Sequence, residues 1–377
     1  MKNLKIVIIS IILILVIISL LVVGIFLDKK NINEETKPIP TVPLEETSAI
    51  YVVPTMRDSI KNDTSWCATF GLVWNDMKND VVKQDIVFTP QELMAENLNK
   101  EDFNEDMISD EYYYKVYGKK TVELKETIEK GIKEKFNQTS DILDDFDWSS
   151  SGLDDPNNSN ISRYFFYTML YRKFEFLKEF DKLDDGKFGN KYDNVKYFGI
   201  NGKTENKVGD QITVLYYNSQ DDFAILINTK TNDEVIFVKN PKGNSFNEIY
   251  DNMQKEEKSF TGKKEFQDID EFKAPNIEFN VKREYTEFAN KPFLAADGDV
   301  CMILKALQSI KLTLNEKGGE IKSEAAIDMV KNTAFIIEDK IEPRYFFVDN
   351  SFTLFLREKG RDIPYFAAKV DDITKYQ

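Results

Sequence analysis

Past residue 160 the spacing of apolar residues shortens to two, and that change limits the fold more than any other feature of the chain. "QITVLYYNSQDDFAILINTKTNDEVIFVKNP" (211–241) reads as successive strands, with Val214–Tyr217 and Phe223–Ile227 as apolar runs joined by the turn-rich Asn218–Asp222. "IEFNVKREYTEF" puts Ile277, Phe279 and Val281 on one face, whereas "ALQSIKLTLNE" alternates less cleanly. "FTLFLREKGRDIPYFAAKV" reads as two strands around Glu358–Asp362, a hairpin near the C-terminus. Only "NSFNEIYDNMQKEEKSF" interrupts as a helix, with Asn244 or Ser245 as its cap.

From about 49 to 150 the pattern is mostly helical. Phe70, Val73, Trp74 and Met77 stand at helical spacing. "VFTPQELMAENLN" offers Thr89 as N-cap, Pro90 at the first helical position and Glu92 three residues after the cap. "KKTVELKETIEKGIKEKF" sets Val122, Ile128, Ile132 and Phe136 on one broad face. Helices first and mostly antiparallel strands afterwards predict an α+β fold, not an alternating βαβ one.

Composition removes several function classes. With no histidine there is no Ser-His-Asp triad, His proton shuttle or His-ligated zinc. Cys67 and Cys301 are too few for a closed zinc site, and they read as a disulfide or as two separately buried thiols. The net charge is −15; the first 30 residues hold four Lys and one Asp, so the remainder carries −18 and repels nucleic acid. The acidic stretches 141–160 and 181–193 lack the spacing of a calcium loop and read as solvated connections. No metal and no cofactor is expected.

Residues 6–27 are 22 uncharged residues, long enough as a helix to span roughly 33 Å of bilayer. The expectation is an uncleaved membrane anchor within 1–30, with a cleaved signal peptide as the alternative. Residues 31–48, with three prolines, read as a polar tether, and 49–377 as the body, outside the cell. The Lys-, Asn- and Ile-rich usage suggests a bacterial source.

The order of segments from 160 onward resembles the serpin family. "YFFYTMLYRKFEFLKEFD" is similar to that family's central strand and aromatic turn, although Tyr171-Arg172-Lys173-Phe174 lacks the usual Gly-Trp. "VLYYNSQDDFAILINTKT" resembles its strand pair. "APNIEFNVKREYTEF" followed by "NKPFLAADGD" resembles its strand, short helix and "aFs-x-aD" step, with Phe293, Ala296 and Asp297 in place. "IKLTLNEKGGEIKSEAAI" resembles the strand ending Asn-Glu-x-Gly-Thr-Glu-Ala-Ala, and "FFVDNSFTLFLREKGRDIPYFAAKVDD" the terminal hairpin. The resemblance covers roughly 160–377.

It implies an inhibitor and not an enzyme: a monomer whose exposed bait loop, about 320–345, is attacked by a serine or cysteine protease. The cut loop then inserts into the main sheet as a new central strand. Either Glu316 or Glu320 matches the hinge Glu, and both alignments put Gly319, Ile321, Ser323, Ala325, Ile327 and Met329 inward. Glu320, Lys322, Glu324, Ala326, Asp328 and Val330 then point outward, and Lys331 breaks the pattern on the inward side. By the family's spacing Glu320 implies a scissile bond at Ile336-Ile337, and Glu316 one at Asn332-Thr333. Lys340-Ile341 serves if the loop is longer. These bonds suit elastase-like, Asn-specific and trypsin-like proteases respectively. A serpin-fold binding protein without inhibitory action, and an unrelated tethered sensor or adhesion domain, are the competing readings.

Overall fold

The computed structural model describes residues 50–101, 103–153, 162–200, 207–321 and 342–377. The chain divides into two units, Met1–Leu44 and Glu45–Gln377, and every described residue belongs to the second. The apolar segment 6–27 and the tether 31–48 lie outside the described residues. Among the described residues no helix is long and apolar enough to cross a membrane.

Continuous apolar runs make the largest sheet, because strands buried on both faces need no alternation. It orders β1 (Tyr51–Val53), β2 (Thr64–Cys67), β21 (Phe366–Val370), β20 (Phe352–Glu358), β12 (Asp233–Lys239), β11 (Asp222–Asn228) and β10 (Ile212–Ser219), numbered along the chain. Every residue of β12 is buried. Four α-helices stand among the described residues: α1 (Thr69–Asp76), α2 (Leu93–Asn99), α3 (Val122–Phe136) and α4 (Phe246–Ser259). The Ser245 side chain caps α4 by accepting from the Glu248 amide, and Phe246 and Tyr250 pack that helix on Phe355 of β20.

The main sheet orders β14 (Ile277–Glu284), β17 (Leu307–Asn315), β18 (Gly318–Ile321) and β5 (Arg172–Glu175). β4 (Tyr164–Leu170) runs into β5 through Tyr171 alone and pairs with β3 (Tyr113–Lys119), so β3 and β4 extend the same surface. A third sheet orders β19 (Tyr345–Phe347), β13 (Glu271–Pro275), β9 (Tyr197–Ile200) and β6 (Asp181–Lys182). Two hairpins complete the body, β7 (Gly186–Phe188) with β8 (Tyr192–Val195) and β15 (Pro292–Leu294) with β16 (Val300–Met302). All pairings are antiparallel except β1 with β2 and β13 with β19, as an α+β fold predicts.

The first hundred body residues differ from the sequence reading. Helices α1, α2 and α3 lie there as expected, but so do three unforeseen strands: β1 pairs with β2, and β2 and β3 are drawn into sheets by β21 and β4 farther along the chain. Thr89 is no N-cap and Pro90 does not start a helix. The Gln91 side chain accepts the Phe88 amide at 2.7 Å and closes a turn, so α2 begins at Leu93. Ile128, Ile132 and Phe136 of α3 are buried as expected, but Val122, in the first turn, is exposed. β17 alternates perfectly, with Gln308, Ile310, Leu312 and Leu314 buried. Gln308 hid that pattern; its amide is satisfied inside by the Tyr285 hydroxyl, the Cys67 carbonyl and the Thr69 hydroxyl. Both cysteines are free.

Candidate functional site: a strand slot in the main sheet

Residues 313–321 form a tight hairpin, not a loop. Asn315 pairs with Gly318, leaving only Glu316 and Lys317 in the turn. The turn is held from outside, since Phe180 and Phe176 donate their amides to the carbonyls of Glu316 (3.0 Å) and Lys317 (2.9 Å). Lys182 lies 3.3 Å from the buried Glu316 carboxylate. β18 then enters between β17 and β5, antiparallel to both.

Two glycines make that entry possible. Gly318 has φ +144°, and a Cβ there would stand 2.2 Å from the Phe174 carbonyl oxygen. A Cβ on Gly319 would stand 2.6 Å from the Phe174 ring and 2.7 Å from the Thr313 carbonyl. We expect Gly318→Ala to cost about 1–3 kcal/mol and to unseat β18. Hydrogen exchange reads this directly: the amides of 319–321 should lose protection, and unchanged protection would contradict it.

Gly319 stands opposite Leu314 and Phe174, and Ile321 opposite Leu312 and Arg172, all on the core face. Glu320 faces the other way, where its carboxylate accepts from the Tyr171 hydroxyl at 3.0 Å. Ser323, Ala325, Ala326, Ile327 and Met329 lie outside the described residues. So do the three candidate scissile bonds, Ile336-Ile337, Asn332-Thr333 and Lys340-Ile341.

Below β18, β17 pairs with β14 on its far side and β4 with β3 on its far side. Among the described residues, β17 and β4 make no ladder with each other. The outer face of β4 is covered by α3, whose Ile128, Ile132 and Phe136 share a core with Phe165, Tyr167, Met169 and Tyr171. The segment after α3 reaches to the far strands through Lys311–Asp141 (3.0 Å) and Lys282–Asp145 (2.7 Å).

At the depth of Ile321 the slot is braced by a buried charge cluster. Arg172 is fully buried. Its Nε lies 2.7 Å from Asp233 of β12 and its Nη1 2.9 Å from Glu358 of β20. Its guanidinium carbon sits 3.7 Å from the centre of the Tyr112 ring and 4.7 Å from that of Tyr365. The Tyr365 hydroxyl donates to Asp233 at 2.8 Å, and the Ser109 amide donates to Glu358 at 3.1 Å. Burial lifts the Asp233 carboxyl above its usual range despite Arg172 and Tyr365. Burial acts the same way on Glu358, but the Ser109 and Arg172 hydrogen bonds outweigh it and hold that carboxyl low. Sequence reasoning missed this cluster, for Arg172 reads there only as a departure from a motif. A lone Arg inside "MLYRKFEF" was the one available signal.

No family model matches this chain, and no curated protein is similar to it. Among the solved structures it resembles are serpins. A thyroxine-binding globulin complex with thyroxine is 12% identical over 83% of this chain and 93% of its own, with a TM-score of 0.46. Serpin48 from the insect Tenebrio molitor is 13% identical over 82% and 92%, with a TM-score of 0.43. A cleaved serpin 42Da is 16% identical over 66% and 65%, with a TM-score of 0.41. The likeness is one of fold and does not extend to a ligand or a target.

Proposed function

We propose that the chain is a serpin-type inhibitor of serine or cysteine endopeptidases, held outside the cell on its N-terminal apolar segment. The observation that carries this reading is the seating of 318–321 between β17 and β5, while β17 and β4 make no ladder with each other among the described residues. A strand already entering between two strands of this sheet is what an inserting loop needs. In the same register, Ser323 would stand opposite Ile310 and Leu170, and Ala325 opposite Gln308 and Thr168. Small side chains fit between such neighbours.

The chemistry belongs to the target. Its nucleophile attacks the scissile carbonyl, the peptide nitrogen leaves as the amine, and an acyl-enzyme remains. Insertion of the released strand then drags the protease along, and its triad and oxyanion hole lose the geometry that hydrolysis requires. The inhibitor supplies no acid, base or metal, so a chain without histidine can do this.

The test mixes the body with elastase-like, Asn-specific and trypsin-like proteases. We expect a complex that survives boiling in detergent with at least one of them, and the new N-terminus of the C-terminal fragment released on boiling fixes the scissile bond. Clean cleavage without a complex and without a gain in thermal stability would sink the inhibitory reading. The second reading, a serpin-fold binder that does not inhibit, draws on Ile327, Met329 and Lys331, which are bulky or charged at inward positions. Cleavage without a complex is its expected result.

A further inference from the structure

Eleven large apolar side chains are exposed among the described residues, and six of them gather around the β15–β16 hairpin. Leu294 and Val300 are cross-strand partners, Met302 follows on the same face, and Leu304 lies two residues on. Val300 is 71% exposed. Val87 and Leu93 join them because the segment 82–93 runs beside the hairpin. Ala296 donates its amide to the Val82 carbonyl at 2.9 Å, Gln84 donates to the Leu294 carbonyl at 2.8 Å, and Glu92 pairs with Lys291. The hairpin is not a frayed edge: its other face buries Phe293 against Phe88, with ring centres 5.5 Å apart. One face is core, and the opposite face is apolar as well.

The first described strand begins beside this surface. Arg283 donates to the Val52 carbonyl of β1, sits 4.6 Å over the Tyr51 ring and reaches the Met94 sulfur at 3.9 Å. Met94 is the residue after the exposed Leu93. The first described strand therefore lies one side chain away from Met94, beside the exposed Leu93.

We infer that this face rests on the lipid bilayer. The inference builds on the membrane-anchor part of the proposed function. Residues 28–49 separate the apolar segment from the body, and a flexible tether of that length has a root-mean-square span of about 25 Å. Such a short tether holds the body at an effective concentration near millimolar at the surface, so a weak apolar contact suffices. The rim also selects the lipid. Asp85 lies 4.0 Å from Lys78 and Glu92 pairs with Lys291, which leaves exposed Asp297 and Asp299 against Lys83, so zwitterionic headgroups are preferred over anionic ones.

All three apolar cores of the body lie within residues 50–377, so residues 45–377 make a self-contained unit for the test. That body is sedimented with phosphatidylcholine vesicles, with and without phosphatidylglycerol. The expected results are binding to phosphatidylcholine, weaker binding when phosphatidylglycerol is added, and a fall of at least about tenfold for Leu294→Ser/Val300→Ser/Met302→Ser at unchanged melting temperature. No binding by the parent, equal binding by the triple variant, or a parent dimer that the triple variant abolishes would each overturn the inference. Alkaline carbonate extraction of the full chain tests the anchor on its own. Release by carbonate would refute the anchor, while the vesicle result still decides the face.

Discussion

Arg172→Met is expected to lower the stability of the body by about 3–5 kcal/mol, because it strands two carboxylates in the interior. Asp233 and Glu358 are both buried, and Arg172 is the cation that touches both. The Met side chain fills much of the volume, so the loss is electrostatic and not one of packing. For a unit of this size the melting temperature should fall by about 4–7 °C. Arg172→Lys keeps the charge but loses the fork that reaches two acids at once, and should fall between. The pH dependence carries a sign that packing would not. Glu358 is held below its usual range, so its contribution is present above the ordinary glutamate pKa and is lost as pH falls through the lower folded value. Asp233 is shifted the other way and works against the fold near neutral pH, so acid relieves rather than adds to its burden. In Arg172→Met the Glu358 contribution shrinks, and stability should drop less steeply on acidification than in the parent. A melting temperature within about 1 °C of the parent would overturn this account.

The cluster also explains what the sequence could and could not disclose. Continuous apolar runs and turn chemistry made β10, β11, β20 and β21 legible, and period-two alternation β14, because each strand's burial is written in its own residues. β2 and β3 were not legible. "TSWC" and "YYKVYGK" become strands only because β21 and β4 lie beside them, and those partners are far along the chain. Of the site, the parity of Gly319 and Ile321 could be read from spacing, while the seating of β18 could not. It depends on the Phe174 carbonyl and ring, which leave room only for glycine. Arg172 was hidden for a similar reason. A buried cation is justified by acids on other strands, and a single sequence carries no mark of that pairing.

Lys331 sets the largest effect in the slot itself. By the alternation that puts Gly319 and Ile321 on the core face, Lys331 falls inward on a fully inserted strand. Burying an unpaired ammonium there would cost several kcal/mol, so insertion of the native sequence should stop short of it. Lys331→Ala removes that barrier. After cleavage in the loop, the variant's melting temperature should exceed that of the cleaved parent, and its detergent-stable complex with protease should form at a lower inhibitor-to-protease ratio. Ala325→Arg is the opposite case. In the register of β18 residue 325 would meet Gln308 and Thr168, with the seven-stranded sheet behind them, and a guanidinium there has no carboxylate to pair with among the described residues of either strand. That variant should be cut as readily as the parent, gain no stability on cleavage and trap no protease. The uncut forms of both variants should melt with the uncut parent, since the described strand β18 ends at Ile321, before either residue. If Ala325→Arg still forms the complex, the loop does not insert through this slot in the register of β18, and the account of the site fails.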